Sequence, residues 1–192
     1  MTVQIRGQRV VLTPLTPADL AWLVRWERDP AVARFAGQRF DSLAGACTWW
    51  QAAQADPRHV VLAVRLPSGQ VIGDVELVEI NWVRREAELR IRIGDPRYRG
   101  RGLGRDAVRA AARYAAGIGL KQLFLRVDVR NVAALRCYRA AGFRSLGRFT
   151  AGRRKADGLA DMYLMVRALD ARPGGSAGIG PAAADPRAAA AD

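Results

Sequence analysis

A chain of 192 residues, half of them hydrophobic, can bury one good core and does not require a second domain. No run approaches the roughly 18–20 apolar residues of a membrane span, and the start MTVQIRGQRV lacks the apolar stretch of a secretory signal, so a cytoplasmic protein is expected. The net charge of +13 is uneven: residues 1–83 carry 8 basic and 8 acidic side chains, 84–120 carry 10 and 4, 121–155 carry 10 and 1, and 156–192 carry 3 and 5. Such a field suits a phosphate-bearing small molecule or a ribosomal RNA surface. The near-absence of lysine (only Lys121 and Lys155), with abundant alanine, fits coding bias equally well.

In chain order, a strand is predicted near Arg9 to Thr13. Thr16, Pro17 and Asp19 then read as a helix start carrying Leu20, Leu23, Val24 and Trp26 inward. Asp29-Pro30 restarts a short helix through Phe35, and Ser42 opens a third to about Ala55. Strands follow at His59 to Leu66 and Val71 to Glu79, joined by the turn residues Pro67-Ser68-Gly69-Gln70. Glu86 to Ile93 alternates, placing Ala87, Leu89, Ile91 and Ile93 on one face, and Val108, Ala111, Ala112 and Ala115 recur at helical spacing. Leu123 to Val129 is another strand, followed by a short helix through Tyr138. Arg144 to Arg154 and Leu159 to Val166 form a hairpin over Ala156-Asp157-Gly158. The stretch from about residue 171 to 192 is too poor in large apolar groups to offset the cost of ordering and is expected to be a disordered tail behind a domain of residues 1–170. Cys47 and Cys137 have no metal-ligand spacing and read as reduced, packed thiols; no metal site is expected. His59 has no partner in reach by sequence and reads as structural.

Between the predicted strand at 86–93 and the helix after it lies Asp95-Pro-Arg-Tyr-Arg-Gly-Arg-Gly-Leu-Gly104. Gly100, Gly102 and Gly104 allow backbone angles closed to other residues, so N–H groups can converge on an anion at the helix start, and Arg99, Arg101 and Arg105 add charge. Read alone, this run equally describes a glycine-rich turn with solvated arginines.

A second block, Asn131, Tyr138, Gly142 and Phe143, follows at a workable distance. With both blocks in view, the chain resembles the GNAT superfamily of N-acetyltransferases over roughly residues 5 to 168. Arg99, Gly102 and Gly104 match the family's pyrophosphate motif. Trp26, Asp29-Pro30 and Asp161-Met-Tyr-Leu-Met are similar to the RimJ/RimL-like branch that acetylates ribosomal-protein N-termini. The resemblance implies an α/β GNAT fold, a mixed, mostly antiparallel sheet of six or seven strands with about four flanking helices. It implies acetyl-CoA as donor, held by residues 99 to 105 including Leu103, and Tyr138 as the acid that protonates the departing thiolate, a core tyrosine being the alternative. Asn131 would hold the pantetheine or merely cap its helix. Main-chain N–H groups of the strand around Leu89 to Ile91, with Ile93 beyond, would line the donor and meet the oxyanion.

A related branch carries a glutamate twelve residues before the tyrosine, where this chain has Arg126, which cannot accept a proton. The remaining candidate bases are Glu88, first, then Asp128, Asp74, Glu76 and Glu79, acting through water. A weak base suits an α-amine near pKa 8 better than a lysine near 10.4. The expected reaction is acetyl transfer to a protein N-terminus or a small-molecule amine by direct attack. Alternatives are an aminoglycoside acetyltransferase, for which Asp74, Glu76 and Glu79 are thin provision, and a non-catalytic acyl-CoA- or RNA-binding module, whose basic segments lack interleaved aromatics. A homodimer is not distinguished from a monomer, and no membrane partner is expected.

Overall fold

The computed structural model describes residues 3–36, 39–155 and 158–169. The turn expected at Ala156-Asp157 and the tail expected after residue 170 lie outside them. The strands are β1 (Ile5–Arg6), β2 (Val11–Pro14), β3 (Val60–Arg65), β4 (Val71–Asn81), β5 (Glu86–Ile93), β6 (Gln122–Asp128), β7 (Arg144–Lys155) and β8 (Gly158–Ala168). The helices are α1 (Leu20–Glu27), α2 (Pro30–Ala36), α3 (Leu43–Ala55), α4 (Leu103–Gly117) and α5 (Val132–Ala140), with 3-10 turns at Pro17–Asp19 and Pro96–Tyr98. The expected fold class therefore holds, with eight strands and five helices among the described residues in place of six or seven and about four.

The strands form one sheet in the order β1-β2-β3-β4-β5-β6-β8-β7. Every neighbouring pair is antiparallel except β5 with β6. Because side chains alternate along a strand, each strand feeds two layers. Val75 and Leu77 of β4 and Ala87 and Leu89 of β5 face one side, where they pack with Ala107, Val108 and Ala111 of α4 and Leu135 and Tyr138 of α5. Small alanines along α4 let that helix lie close to the sheet. On the other side Val61 and Ala63 of β3 meet Leu20, Leu23 and Trp26 of α1 and Ala46 and Ala53 of α3.

Local chemistry sets the helix starts. The Ser42 hydroxyl accepts the Gly45 N–H at 3.1 Å. At Thr16 the expected cap takes another form: the Thr16 N–H and hydroxyl both donate to Asp19, and the chain makes a 3-10 turn before α1 begins.

Candidate active site

After β5, Gly94 passes directly under α1: a Cβ there would stand 2.0 Å from Cδ2 of Trp26, so only glycine lets the two meet. Asp95 caps the next turn by accepting the Arg97 N–H at 3.0 Å. Gly100 and Gly102 then take φ of +70° and +78°, the left-handed region that glycine enters without penalty. Gly104 does not: it lies in the first turn of α4, where a Cβ would make ordinary contacts at 3.5 Å to Ile93 and 3.7 Å to Cys137. Gly102 stands at the N-cap of α4, and no side chain caps that end. The first-turn N–H groups are thus left for an anion, at the positive end of the helix.

The guanidiniums around this loop are not all those the spacing suggests. Arg99 turns inward, donating to the carbonyls of Ile93 at 2.9 Å and Gly94 at 2.5 Å and to Asp29 at 2.7 Å. It ties the loop to the α1–α2 connection, so in this structure its guanidinium is engaged by protein atoms. Arg9 also reaches this loop. Its Nη1 donates to the Arg101 carbonyl at 2.7 Å, and a Cβ at Gly102 would meet Arg9 Nη1 at 3.7 Å and Arg105 Nη2 at 3.8 Å. Arg9 is held there by Asp106 of α4, whose carboxylate accepts the N–H groups of Gln8, Arg9 and Val10 at 3.0, 2.7 and 3.1 Å. Leu103 buries its side chain in the core, so only its main chain is available to a ligand.

The loop lies beside a gap in the sheet. β5 and β6 pair only through Glu86, Ala87 and Glu88 with Gln122, Leu123 and Phe124. Beyond Glu88, β5 continues on β4 as far as Ile93 opposite Gly73, while β6 continues on β8 as far as Asp128 opposite Met162. The main chains of Leu89 to Ile93 and of Leu125 to Asp128 therefore diverge, leaving room for an extended, amide-bearing chain. The side chains of Leu89, Ile91 and Ile93 pack into or against the core. Any contribution they make to such a ligand comes from their backbone.

Tyr138 of α5 is buried, with its ring 6.0 Å from that of Phe143. Burial, with the nearby Cys137 and Glu88, pushes its phenol well above the usual range, so it stays protonated at neutral pH. Its hydroxyl makes no hydrogen bond within the described residues. Burial likewise raises the Cys137 thiol, against the opposing charge of Arg105. Cys47 and Cys137 are both free cysteines. Asn131 caps α5, its side chain accepting the Ala134 N–H at 3.1 Å, which is the local alternative of the two expected for it.

Glu88 arrives already paired. Arg126 donates to both of its oxygens, at 3.0 and 2.6 Å, and Arg90 adds a third bond at 2.8 Å. Burial alone would raise the carboxyl, but these two guanidiniums outweigh it and hold it below the usual range. Arg126 thus does more than fill a position where a glutamate was sought: it engages the carboxylate on the neighbouring strand and leaves Glu88 a weak base. Glu79 sits at a bulge between Val78 and Asn81 with φ of +54°, exposed, 3.4 Å from Arg126. Asp128 is buried and takes the N–H and guanidinium of Arg130.

The remaining candidate bases, Asp74 and Glu76, belong to a buried ionic cluster that sequence spacing does not reveal. Arg39 bonds Glu27 at 2.7 Å and both Asp74 and Glu76 at 2.8 Å, and Arg92 bonds Glu27 at 2.6 Å. His59, expected to lack a partner, meets Glu76 at 2.8 Å. Burial opposes ionisation of Glu76, but the His59 hydrogen bond and the charges of Arg39 and Arg92 outweigh it and hold its pKa at about 2. A carboxyl depressed on folding contributes stability that is present above its ordinary value and lost as pH falls toward the folded one. Acid titration followed by circular dichroism is therefore expected to show stability falling between about pH 4.5 and about pH 2, and Glu76→Gln is expected to flatten that fall.

Among the described residues no group of three or more histidine, cysteine or acidic side chains could hold a metal ion, and no helix is long and apolar enough to cross a membrane.

Comparison with known proteins accords with this geometry. Residues 9–144 match the family described as Acetyltransferase (GNAT) domain. Spermidine N(1)-acetyltransferase of Escherichia coli (strain K12) is 34% identical over 139 residues, covering 70% of this chain and 72% of that protein. Mycothiol acetyltransferase of Mycobacteroides abscessus is 33% identical over 94 residues, covering 46% of this chain and 30% of that protein. The crystal structure of spermidine N-acetyltransferase from Vibrio cholerae in complex with CoA and spermine superposes with a TM-score of 0.78 at 23% identity, over 85% of this chain and 97% of that one. These relatives do not carry the resemblance to a ribosomal-protein branch in particular. A glycine-built anion loop beside a split parallel strand pair, within a match that spans most of the chain, makes this protein a member of the GNAT family: an acetyl-CoA-dependent N-acetyltransferase of amines.

Proposed function

We propose that the chain acetylates the primary amine of a small molecule by direct attack on the acetyl thioester. The observation that carries this reading is the gap between β5 and β6, set beside the uncapped glycine start of α4. In this reading the N–H groups of residues 100 to 104, with Arg9 and Arg105, hold the pyrophosphate. Backbone N–H groups around Leu89 to Ile91 stabilise the oxyanion, and Tyr138 returns a proton to the thiolate. Asn131 keeps the start of α5, and so Tyr138, in place. Glu88 is too weakly basic to draw a proton from an amine of high pKa, and it serves to fix Arg90 and Arg126 beside the acceptor.

Spermidine is the first acceptor to offer, because it is what the names of the similar enzymes specify. A second reading, a protein N-terminal α-amine as in the ribosomal branch, is favoured by the weakness of Glu88: an amine of pKa near 8 is about one-tenth neutral at pH 7 without help. The test is release of free thiol from acetyl-CoA with spermidine, n-butylamine, kanamycin and an N-terminal peptide in parallel. Preferred turnover of any of the three small amines supports the first reading and names its class. Preferred turnover of the peptide supports the second, and no thiol release with any of the four overturns both.

A further inference from the structure

The best-built ionic site outside the donor loop lies on the α1–α3 side of the sheet. Arg39 enters it from the segment between α2 and α3, and its side chain is 13% exposed. It makes side-chain bonds to Glu27 of α1 and to Asp74 and Glu76 of β4, and its main-chain N–H adds a bond to Glu27 at 3.1 Å. Its Cζ also stands 5.2 Å from the Phe40 ring centroid and 4.9 Å from that of Trp49. Two rings and three carboxylates around one planar cation form a receptor for a guanidinium or an alkylammonium. Here the occupant is part of the chain. Apart from Phe40, its walls stand on α1, α3 and β4, so they do not depend on Arg39 for their backbone.

The register places this box beside the reaction. Glu76 pairs with Arg90, and Val78, two residues on, pairs with Glu88, the last β5 residue bonded to β6 before the strands part. Two residues along a strand are about 7 Å. In the reading proposed above the donor lies along the gap from the α4 start, which leaves the side of β4 that carries this box to the acceptor. The carboxylates it meets are committed: Glu88 to Arg90 and Arg126, and Glu27, Asp74 and Glu76 to Arg39 and Arg92.

We propose that Arg39 is a specificity-determining residue, a built-in cation that fills the carboxylate–aromatic box and turns away acceptors carrying a second positive charge. The wild-type enzyme then prefers amines whose remainder is neutral or anionic, and processes spermidine with a high KM. This deepens the small-amine reading above and rests on it for the acceptor's position.

The test compares Arg39→Gln and Arg39→Lys with wild type, each confirmed as folded by circular dichroism, in two measurements. In the first, the ratio of kcat/KM for spermidine to that for n-butylamine is expected to rise at least about tenfold in Arg39→Gln, mainly through spermidine KM, and to stay near wild type in Arg39→Lys, which keeps the charge. In the second, methylguanidinium at low millimolar concentration is expected to raise the Tm of Arg39→Gln and not that of wild type. An unchanged ratio in Arg39→Gln, or an equal rise in Arg39→Lys, overturns the proposal. So does a methylguanidinium shift that is absent from both proteins or equal in both. Should no amine be acetylated by any form, the acceptor reading has failed, and the methylguanidinium shift still decides whether the box exists. If Arg39→Gln does not fold alone but folds with methylguanidinium, that rescue supports the box; failure to fold with it counts against.

Discussion

Tyr138→Phe is expected to lower kcat by about 10² or more at saturating acetyl-CoA, with donor KM and Tm close to wild type. The change removes one oxygen whose hydroxyl has no hydrogen-bond partner within the described residues, so no internal bond is broken and the ring keeps its contact with Phe143. What is lost is a proton held ready. Burial first, with the nearby Cys137 and Glu88 adding to it, raises the phenol and keeps it protonated through the neutral range, the state required of a group that must give a proton to a thiolate. Because the two effects separate, the measurement discriminates. A fall in both Tm and kcat assigns Tyr138 to packing, and near-wild-type turnover removes it from the mechanism.

Asp106→Ala is expected to cost about 3 kcal/mol or more of stability, since a buried carboxylate that accepts three backbone N–H groups leaves all three unmet when it is cut away. For a chain of this length that corresponds to a fall in Tm of about 6–12 °C. The same change frees the β1–β2 turn, and with it Arg9, from the start of α4. Affinity for coenzyme A is therefore expected to fall along with stability, and Asp106→Asn, which retains one acceptor, to fall between. Thermal denaturation with and without coenzyme A checks both. An Asp106→Ala variant with wild-type Tm contradicts the assigned role. The turn also explains its own glycine, since a Cβ at Gly7 would lie 2.6 Å from Asp106 Oδ2.

What could be read from the sequence was whatever has a local cause. Strand alternation locates Glu86–Ile93 to the residue, and the Ser42 cap marks the start of Leu43–Ala55. The glycine run marked the start of α4 because positive φ at 100 and 102 is a property of those residues themselves. β1 was missed because two residues have no period. The inward turn of Arg99 is not legible in the motif, which fixes the backbone and says nothing of where a long side chain turns; its partner Asp29 lies 70 positions away. Arg9 was passed over for the same reason, since only the fold brings residue 9 to residue 101. The cluster of Glu27, Arg39, His59, Asp74, Glu76 and Arg92 comes from five separate segments, and no spacing rule joins them. The strand of Glu88 is legible in the sequence and its pairing is not, because Arg126 meets it only across β5 and β6.

Isothermal titration of the purified protein with coenzyme A at two ionic strengths bears most directly on the grip of the α4 start on a diphosphate. One saturable site is expected, weakening as salt rises because Arg9, Arg105 and the helix terminus contribute charge. No heat of binding at millimolar coenzyme A and low salt would contradict the assignment of the loop, and with it the chemistry built upon it.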